Sequence, residues 1–454
     1  MKFDMVSIIS LAILAGGMVL EAIGIRCSCI YLAIIYFYLL ITSSKKYSIT
    51  HSYTLFLLCF GVFLMGRVIL DALDVLEINL TTKWQIYNFS EQTIFIVNTC
   101  MALSLIFIQV GLEGQAKIVY NRTNQENIKR VFTISKRIVL LLMPFAVIKL
   151  FFDFLQIKAG SYTDLYQGLQ RSPLVIRAGW YLATLILPIL LADTLNKKKL
   201  KNFITLFVLL NFFDFLQGSR GTLLRPGMFF LWYYYKVVSK KRASNIIVIS
   251  IFIVFAFIAN FILEMRSDEE SSSSGAFNKV MYVAEGLGSS YYVNAYYVEC
   301  HKEINEIEQL YVIGPVVDGF VSFFDHDLRG QSEARISKSL GLSHKLTYYI
   351  APQMYLDGHG FGGSYIAEIY STAGFVSVVI FSILIGRFMR FIEENIIRSP
   401  IVRIMSWFWI QNLMFMARGD LLGFVLNMSF TLILYKILLS FSKIKRSRLA
   451  ITNY

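Results

Sequence analysis

The residues best able to do chemistry in this chain are a set of arginines and one short segment carrying a histidine and two carboxylates. Arg67 ends the run Phe63-Leu-Met-Gly-Arg67. Arg177 follows a long apolar stretch, and Arg220 and Arg225 flank the turn Gln217-Gly-Ser-Arg-Gly-Thr-Leu-Leu-Arg225. Arg266 follows another apolar run, and Arg418 opens Arg418-Gly-Asp420. Lysine is almost absent from these turns. A guanidinium presents a fixed fork of donors that grips phosphate or carboxylate oxygens in pairs, which a compact ammonium cannot do. One arginine at a helix end usually snorkels to head groups. A set meeting on one surface implies a cationic pocket for an anionic head group.

The second group is Asp357-Gly-His-Gly-Phe-Gly-Gly-Ser-Tyr-Ile-Ala-Glu368. The histidine, His359, has a side chain suited to general-base work near neutrality. Glu368 falls about one turn inside the apolar run that follows, where a carboxylate must pair, protonate or face water. Either could be the base, with Asp357 orienting it; pairing of Glu368 with an arginine is the structural alternative. His301, His326 and His344 lie in the same long loop. Asp325-His-Asp327 offers too few ligands for a metal, so neither a metal nor another cofactor is expected. The five cysteines show neither a disulfide framework nor zinc spacing.

The elements that must position these residues are membrane helices. Hydrophobic residues make up 56% of the chain and charged ones only 16%. The apolar residues fall in runs of about 17–22, long enough to cross a hydrocarbon core. The chain therefore reads as an all-α polytopic membrane protein with about twelve transmembrane helices. The spans lie near 5–25, 27–42, 53–70, 92–112, 138–156, 179–195, 203–217, 222–238, 246–263, 365–386, 401–417 and 421–439. The net charge of +13 would suggest nucleic acid in a soluble protein. Here the lysines and arginines concentrate in segments 43–52, 113–137, 196–202, 239–245, 387–403 and 440–454, all on one side by parity. Positive-inside bias makes that side cytoplasmic, with both termini.

Four parts follow: a membrane part over 1–263, one large extracytoplasmic loop over 264–364, a second membrane part over 365–439 and a basic cytoplasmic tail over 440–454. In the loop, Tyr291, Tyr292, Tyr296 and Tyr297 could stack on a ligand or simply pack. Lys149 and Asp153, four apart, read as a pair within one helix.

With these residues in view, the chain resembles the Wzy-type polysaccharide polymerases, which make O-antigen and capsular chains in bacteria. The likeness rests on Phe63-Leu-Met-Gly-Arg67, Gly218-Ser-Arg-Gly221, Arg266, Gly358 to Glu368 and Ala417-Arg-Gly-Asp420, and on the plan of spans, cytoplasmic termini and one dominant loop. It implies a metal-independent glycosyltransferase of the bacterial plasma membrane, similar in fold to lipid-dependent (GT-C-like) glycosyltransferases and O-antigen ligases. It also implies undecaprenyl-diphosphate-linked oligosaccharides as substrates and a chain-length regulator and a flippase as partners. Arg67, Arg220, Arg266 and Arg418 would then stabilise the departing diphosphate. Two alternatives remain: a flippase, which would use a polar path and usually internal repeats, and an O-antigen ligase, which differs in its acceptor.

Overall fold

The computed structural model describes residues 4–75, 77–79, 88–114, 124–159, 172–216, 220–246, 248, 250, 288, 290–304 and 310–451. All regular elements among them are helices: α1 (Met5–Ala22), α2 (Ser28–Lys46), α3 (Ser52–Ala72), α4 (Glu91–Leu112), α5 (Gln125–Ala159), α6 (Leu174–Asp193), α7 (Lys197–Leu210), α8 (Arg220–Tyr233), α9 (Ser290–Ile304), α10 (Gly314–Val321), α11 (Leu342–Ile350), α12 (Tyr365–Asn395), α13 (Pro400–Phe415) and α14 (Val425–Ile451), with short turns between them.

Eight of these, α1 to α6, α12 and α14, are long and apolar enough to cross a membrane. They coincide with eight of the expected spans. α7, α8 and α13 fall on three more; α8 runs on as a π segment over Tyr234–Ser239, whereas α7 and α13, with 14 and 16 residues, are shorter than the ~20 a straight crossing needs. The span expected over 246–263 lies almost wholly outside the described residues. The protein is a multi-pass helical membrane protein.

Lipid offers no hydrophobic drive to bring helices together, so small residues and polar contacts must hold them. The axis of the bundle is the α4–α12 pair. At its crossing a Cβ on Gly111 would sit 2.3 Å from the Ile383 carbonyl oxygen, and one on Gly386 would sit 2.2 Å from that of Ile108. Any side chain at either position would force the backbones apart. Above the crossing, Ser104 Oγ bonds the Tyr365 hydroxyl at 2.7 Å and accepts from Ser382 Oγ at 3.1 Å. A second pair, α5 and α6, closes around Gly179, where a Cβ would meet Phe145 Cβ at 2.6 Å. Lys149 and Asp153 form the expected pair at 2.5 Å, and Lys149 Nζ lies 4.1 Å from the centre of the Trp180 ring.

Two helices depart from regular geometry. α3 contains a π turn over Gly61–Met65, immediately before Arg67. α12 breaks at Ala373 and Gly374, the latter in the left-handed region at φ 60°. Ser377 Oγ closes this break, donating toward the carbonyls of Ile369 and Gly374 and accepting from Ala373 N at 3.0 Å.

At one end of the bundle Arg403 is buried, with donors at 2.6–3.2 Å from the carbonyls of Leu191, Ala192, Ile396 and Ile397. Nearby Glu393 accepts from Ser52 N at 2.9 Å and Trp232 Nε1 at 2.8 Å, and pairs with Lys236 Nζ at 2.6 Å. At the other end the described residues between 290 and 364 fold back as short helices. α9 carries Tyr291, Tyr292, Tyr296 and Tyr297, each no more than 1% exposed. It packs on α4, the π turn of α3 and α12, with the Tyr291 hydroxyl donating to Asn98 Oδ1 at 3.2 Å. These tyrosines are packing residues.

Candidate active site

After α13 the chain makes one 3-10 turn, Met416–Arg418, and then runs extended through Gly419 into Asp420 and Leu421. Three independent contacts fix this turn. Asn412 Nδ2 donates to the carbonyls of Asp420 and Leu421 at 3.3 and 3.0 Å. Asp420 Oδ1 accepts from Gly423 N at 2.6 Å. Glu368, 2% exposed at the start of α12, accepts from Leu421 N at 2.8 Å through Oε2. Gly423 has no alternative, because its Cβ would fall 2.2 Å from that Asp420 oxygen.

The glycine-rich segment before α12 lies directly on this turn. A Cβ on Gly363 would sit 3.3 Å from the carbonyl carbon of Gly419, and one on Gly362 would sit 3.5 Å from the Arg418 oxygen. Gly362 also has φ +85°, which a side chain would strain. The two motifs singled out in the sequence, some fifty residues apart, are thus one backbone-to-backbone contact.

Two guanidinium groups meet here, with a third, Arg67, on the neighbouring α3. Arg225 Cζ stands 4.8 Å over the Phe415 ring, and Arg418 is close enough to feel the charge of Arg225. The Phe415 ring lies tilted against that of Phe63, centroids 5.1 Å apart, one turn from Arg67. Arg67 is fully buried and lies 5.6 Å from the centre of the Tyr292 ring. Asp420 lies within electrostatic reach of both Arg225 and Glu368. Arg177 rides on the first turn of α6, which packs on α5 and α14 rather than on this turn. Arg220 opens α8, and Arg266 lies outside the described residues.

Asp357 and His359 are placed differently from Glu368. Both side chains are exposed. Asp357 accepts from Gln353 Nε2 at 3.0 Å, and the His359 carbonyl accepts from Gln331 Nε2 at 3.0 Å. Asp325 and Asp327 are both held by Lys338 Nζ, at 2.8 and 2.6 Å. Among the described residues no three His, Cys, Asp or Glu side chains converge as metal ligands.

Beside the turn lies a cavity of about 310 Å³ that the sequence did not announce. Glu368, Asp420 and Gly363 form one wall; Asp318, Arg335 and His344, from the short helices, form the other. Asp318 is buried and its oxygens are occupied locally by Ser339 Oγ and by Leu340 N and Gly341 N at 2.9 and 3.0 Å. Arg335 Nη1 donates to the Gly330 carbonyl at 2.6 Å, while its Nε is buried with no partner among the described residues. His344 Nδ1 bonds the Tyr355 hydroxyl at 3.2 Å. Burial, with the Arg335 charge acting in the same direction, pulls the His344 imidazole down to about 3, so it is neutral at physiological pH.

His344 was one of four loop histidines with nothing in its spacing to favour it, and Arg335 and Asp318 carried no signal at all. Only the tertiary fold brings residues 318, 335 and 344 against 368 and 420.

Neither the curated proteins nor the solved structures contain a match to this chain. A family model, O-antigen polysaccharide polymerase Wzy, matches residues 3–446. That range takes in α1 to α13, the turn carrying Arg418 and Asp420, and nearly all of α14, and the chain belongs to this O-antigen polymerase family.

Proposed function

We propose that the turn at residues 416–421 is the catalytic centre at which this O-antigen repeat-unit polymerase joins lipid-linked oligosaccharides, and that it faces the outside of the plasma membrane. The observation that carries the reading is the meeting of Arg225 and Arg418 beside a buried carboxylate and a polar cavity, with Arg67 buried on the neighbouring α3. The termini lie in the cytoplasm, and the segment 264–364 is the extracytoplasmic loop.

The reaction moves a growing chain from its undecaprenyl diphosphate to a new unit. An acceptor hydroxyl oxygen bonds the donor's anomeric carbon, the bond from that carbon to the diphosphate breaks, and the hydroxyl proton goes to a base. The lipid diphosphate leaves with its negative charge, which the arginine groups hold in place of a metal ion. Arg177, Arg220 and Arg266 would serve as further contacts for the anionic head group, although Arg177 sits on α6 away from this turn and Arg266 lies outside the described residues.

His344 joins His359 and Glu368 as a candidate base by position alone, because an imidazole held near 3 takes up a proton weakly. It is neutral, buried at the cavity wall and oriented by Tyr355. In the tautomer that donates Nδ1–H to the Tyr355 hydroxyl, Nε2 carries the free lone pair. Glu368 spends one oxygen on Leu421 N and holds the turn. His359 and Asp357 enter the reaction only if their segment closes over bound substrate.

The test is alanine substitution at Arg225 and Arg418 in a host lacking the natural gene. Each should cut long-chain polysaccharide by about 10²-fold or more, with the protein inserted at normal level and single-unit caps accumulating. Arg418→Lys should recover only a minor part, because charge without the fork does not hold two oxygens. Unchanged chain lengths in both alanine variants would overturn the reading; lipid-linked units trapped inside would favour a flippase, and long chains left on carrier lipid a ligase.

A further inference from the structure

The anion-gripping arginines account for one end of each substrate. The polar cavity on the other face of the same turn has a different character. Its wall includes Gly419 and Asp420 but not Arg418, Arg225 or Arg67. The turn therefore separates a cationic side from an oxygen-rich one.

We infer that this cavity is a subsite for the terminal sugar of the acceptor unit, and that it takes an uncharged, hydroxyl-bearing pyranose in preference to a uronic acid. The inference rests on the polymerase reading above and deepens it. Size comes first. A volume of about 310 Å³ lies at the lower end of the ~300–1,000 Å³ usual for small-ligand sites. It has room for a sugar ring or two and not for a polyprenyl tail, whose place is lipid.

Chemistry comes second. Glu368, Asp420 and the neutral imidazole of His344 are acceptors for hydroxyl donors, and Arg335 brings a buried Nε with no partner among the described residues. Buried groups of this kind demand hydrogen bonds, and a site built to bond hydroxyls rejects a ligand that leaves them unmet.

Charge comes third. Asp318 has its oxygens occupied by its own loop but keeps its charge, so the ligand faces Asp318, Glu368 and Asp420 against the single guanidinium of Arg335. A uronate would add an anion to that balance inside a partly enclosed space, where like charges are discriminated most strongly. The small residues of the wall, Gly363 and Gly419 among them, let a ring approach the backbone.

The experiment uses the full chain in lipid nanodiscs and ligand-observed saturation-transfer NMR. The probes are methyl glycosides of several neutral hexoses and N-acetylhexosamines, and methyl glucuronide and galacturonide. At least one neutral glycoside should bind, and both uronides should bind at least tenfold more weakly. Ser343 lines the cavity from α11, and Ser343→Phe should abolish the signal while Ser343→Ala keeps it. Ser322→Phe fills the space from the α10 side and serves if Ser343→Phe fails to fold. Absence of binding by every neutral probe, binding that survives the filled variants, or uronides binding as well as neutral sugars would overturn the subsite. Arg418→Ala separates the two claims: it should leave probe binding intact while polymer is lost. Sugar binding with full polymer in Arg418→Ala sinks the arginine reading and not the subsite; polymer loss with no sugar binding does the reverse.

Discussion

Two glutamates on one helix make an instructive pair. Glu368 and Glu393 are 25 positions apart on α12, on opposite sides of its break at Ala373 and Gly374, and both are buried. At the Glu393 end the surroundings were built to satisfy the charge, with an ammonium and two N–H donors converging on one carboxylate. At the Glu368 end one backbone N–H is the sole donor to the carboxylate among the described residues, another carboxylate, Asp420, lies within electrostatic reach, and the residue lines a cavity. The arginines differ in the same way: Arg403 is spent on carbonyls of its own fold, whereas Arg225 and Arg418 stand beside each other. A buried charge that the fold has fully answered is architecture. One left partly open next to like charge is reserved for something that binds.

The contrast can be broken by mutation. Glu368→Gln keeps an acceptor for Leu421 N and should leave insertion and abundance unchanged, while polymer formation falls by about 10²-fold; quantifying chain length per folded molecule checks it. Glu393→Gln should do the opposite. It strips Lys236 of its partner, so thermal unfolding in detergent should show a loss of about 3 kcal/mol with specific activity retained. If both variants lose activity at equal stability, the distinction between the two ends fails.

The smallest effect concerns pH. The His344 imidazole, held at about 3 when folded, takes a proton near ~6.5 in the unfolded chain. Its contribution to stability is therefore complete above about pH 6.5 and declines as the pH falls toward 3, by about 2 kcal/mol between pH 6.5 and 5. His344→Gln should remove that part of the acid sensitivity in a thermal-unfolding series. Activity in the wild type should stay level from pH 8 to 5.5 so far as the base is concerned; a solvated histidine acting as base would instead break the profile near ~6.5.

Much of this was legible beforehand, and the reasons are specific. The membrane class follows from the length of the apolar runs alone, since nothing but a spanning helix needs them. Gly362, Gly363 and Glu368, and Arg418 with Asp420, stood out because a close backbone contact and a buried charge each restrict residue type. Their contact with one another did not, because it depends on how α12 and α13 end. The tyrosines of α9 left two readings open, and packing against α4 decides between them. Asp318, Arg335 and His344 were invisible because loop residues that meet only in three dimensions leave no period to detect.

The π turn of α3 has a consequence for how Arg67 can be lost. Such a turn accommodates one extra residue in the coil, and a residue in an α-helix accounts for about 100° of rotation. Removing a single position between Gly61 and Met65 would let the coil run regularly and swing everything beyond it by roughly that angle. The guanidinium would turn from Tyr292 toward another neighbour with its codon untouched. A deletion several residues upstream would thus mimic the point mutant.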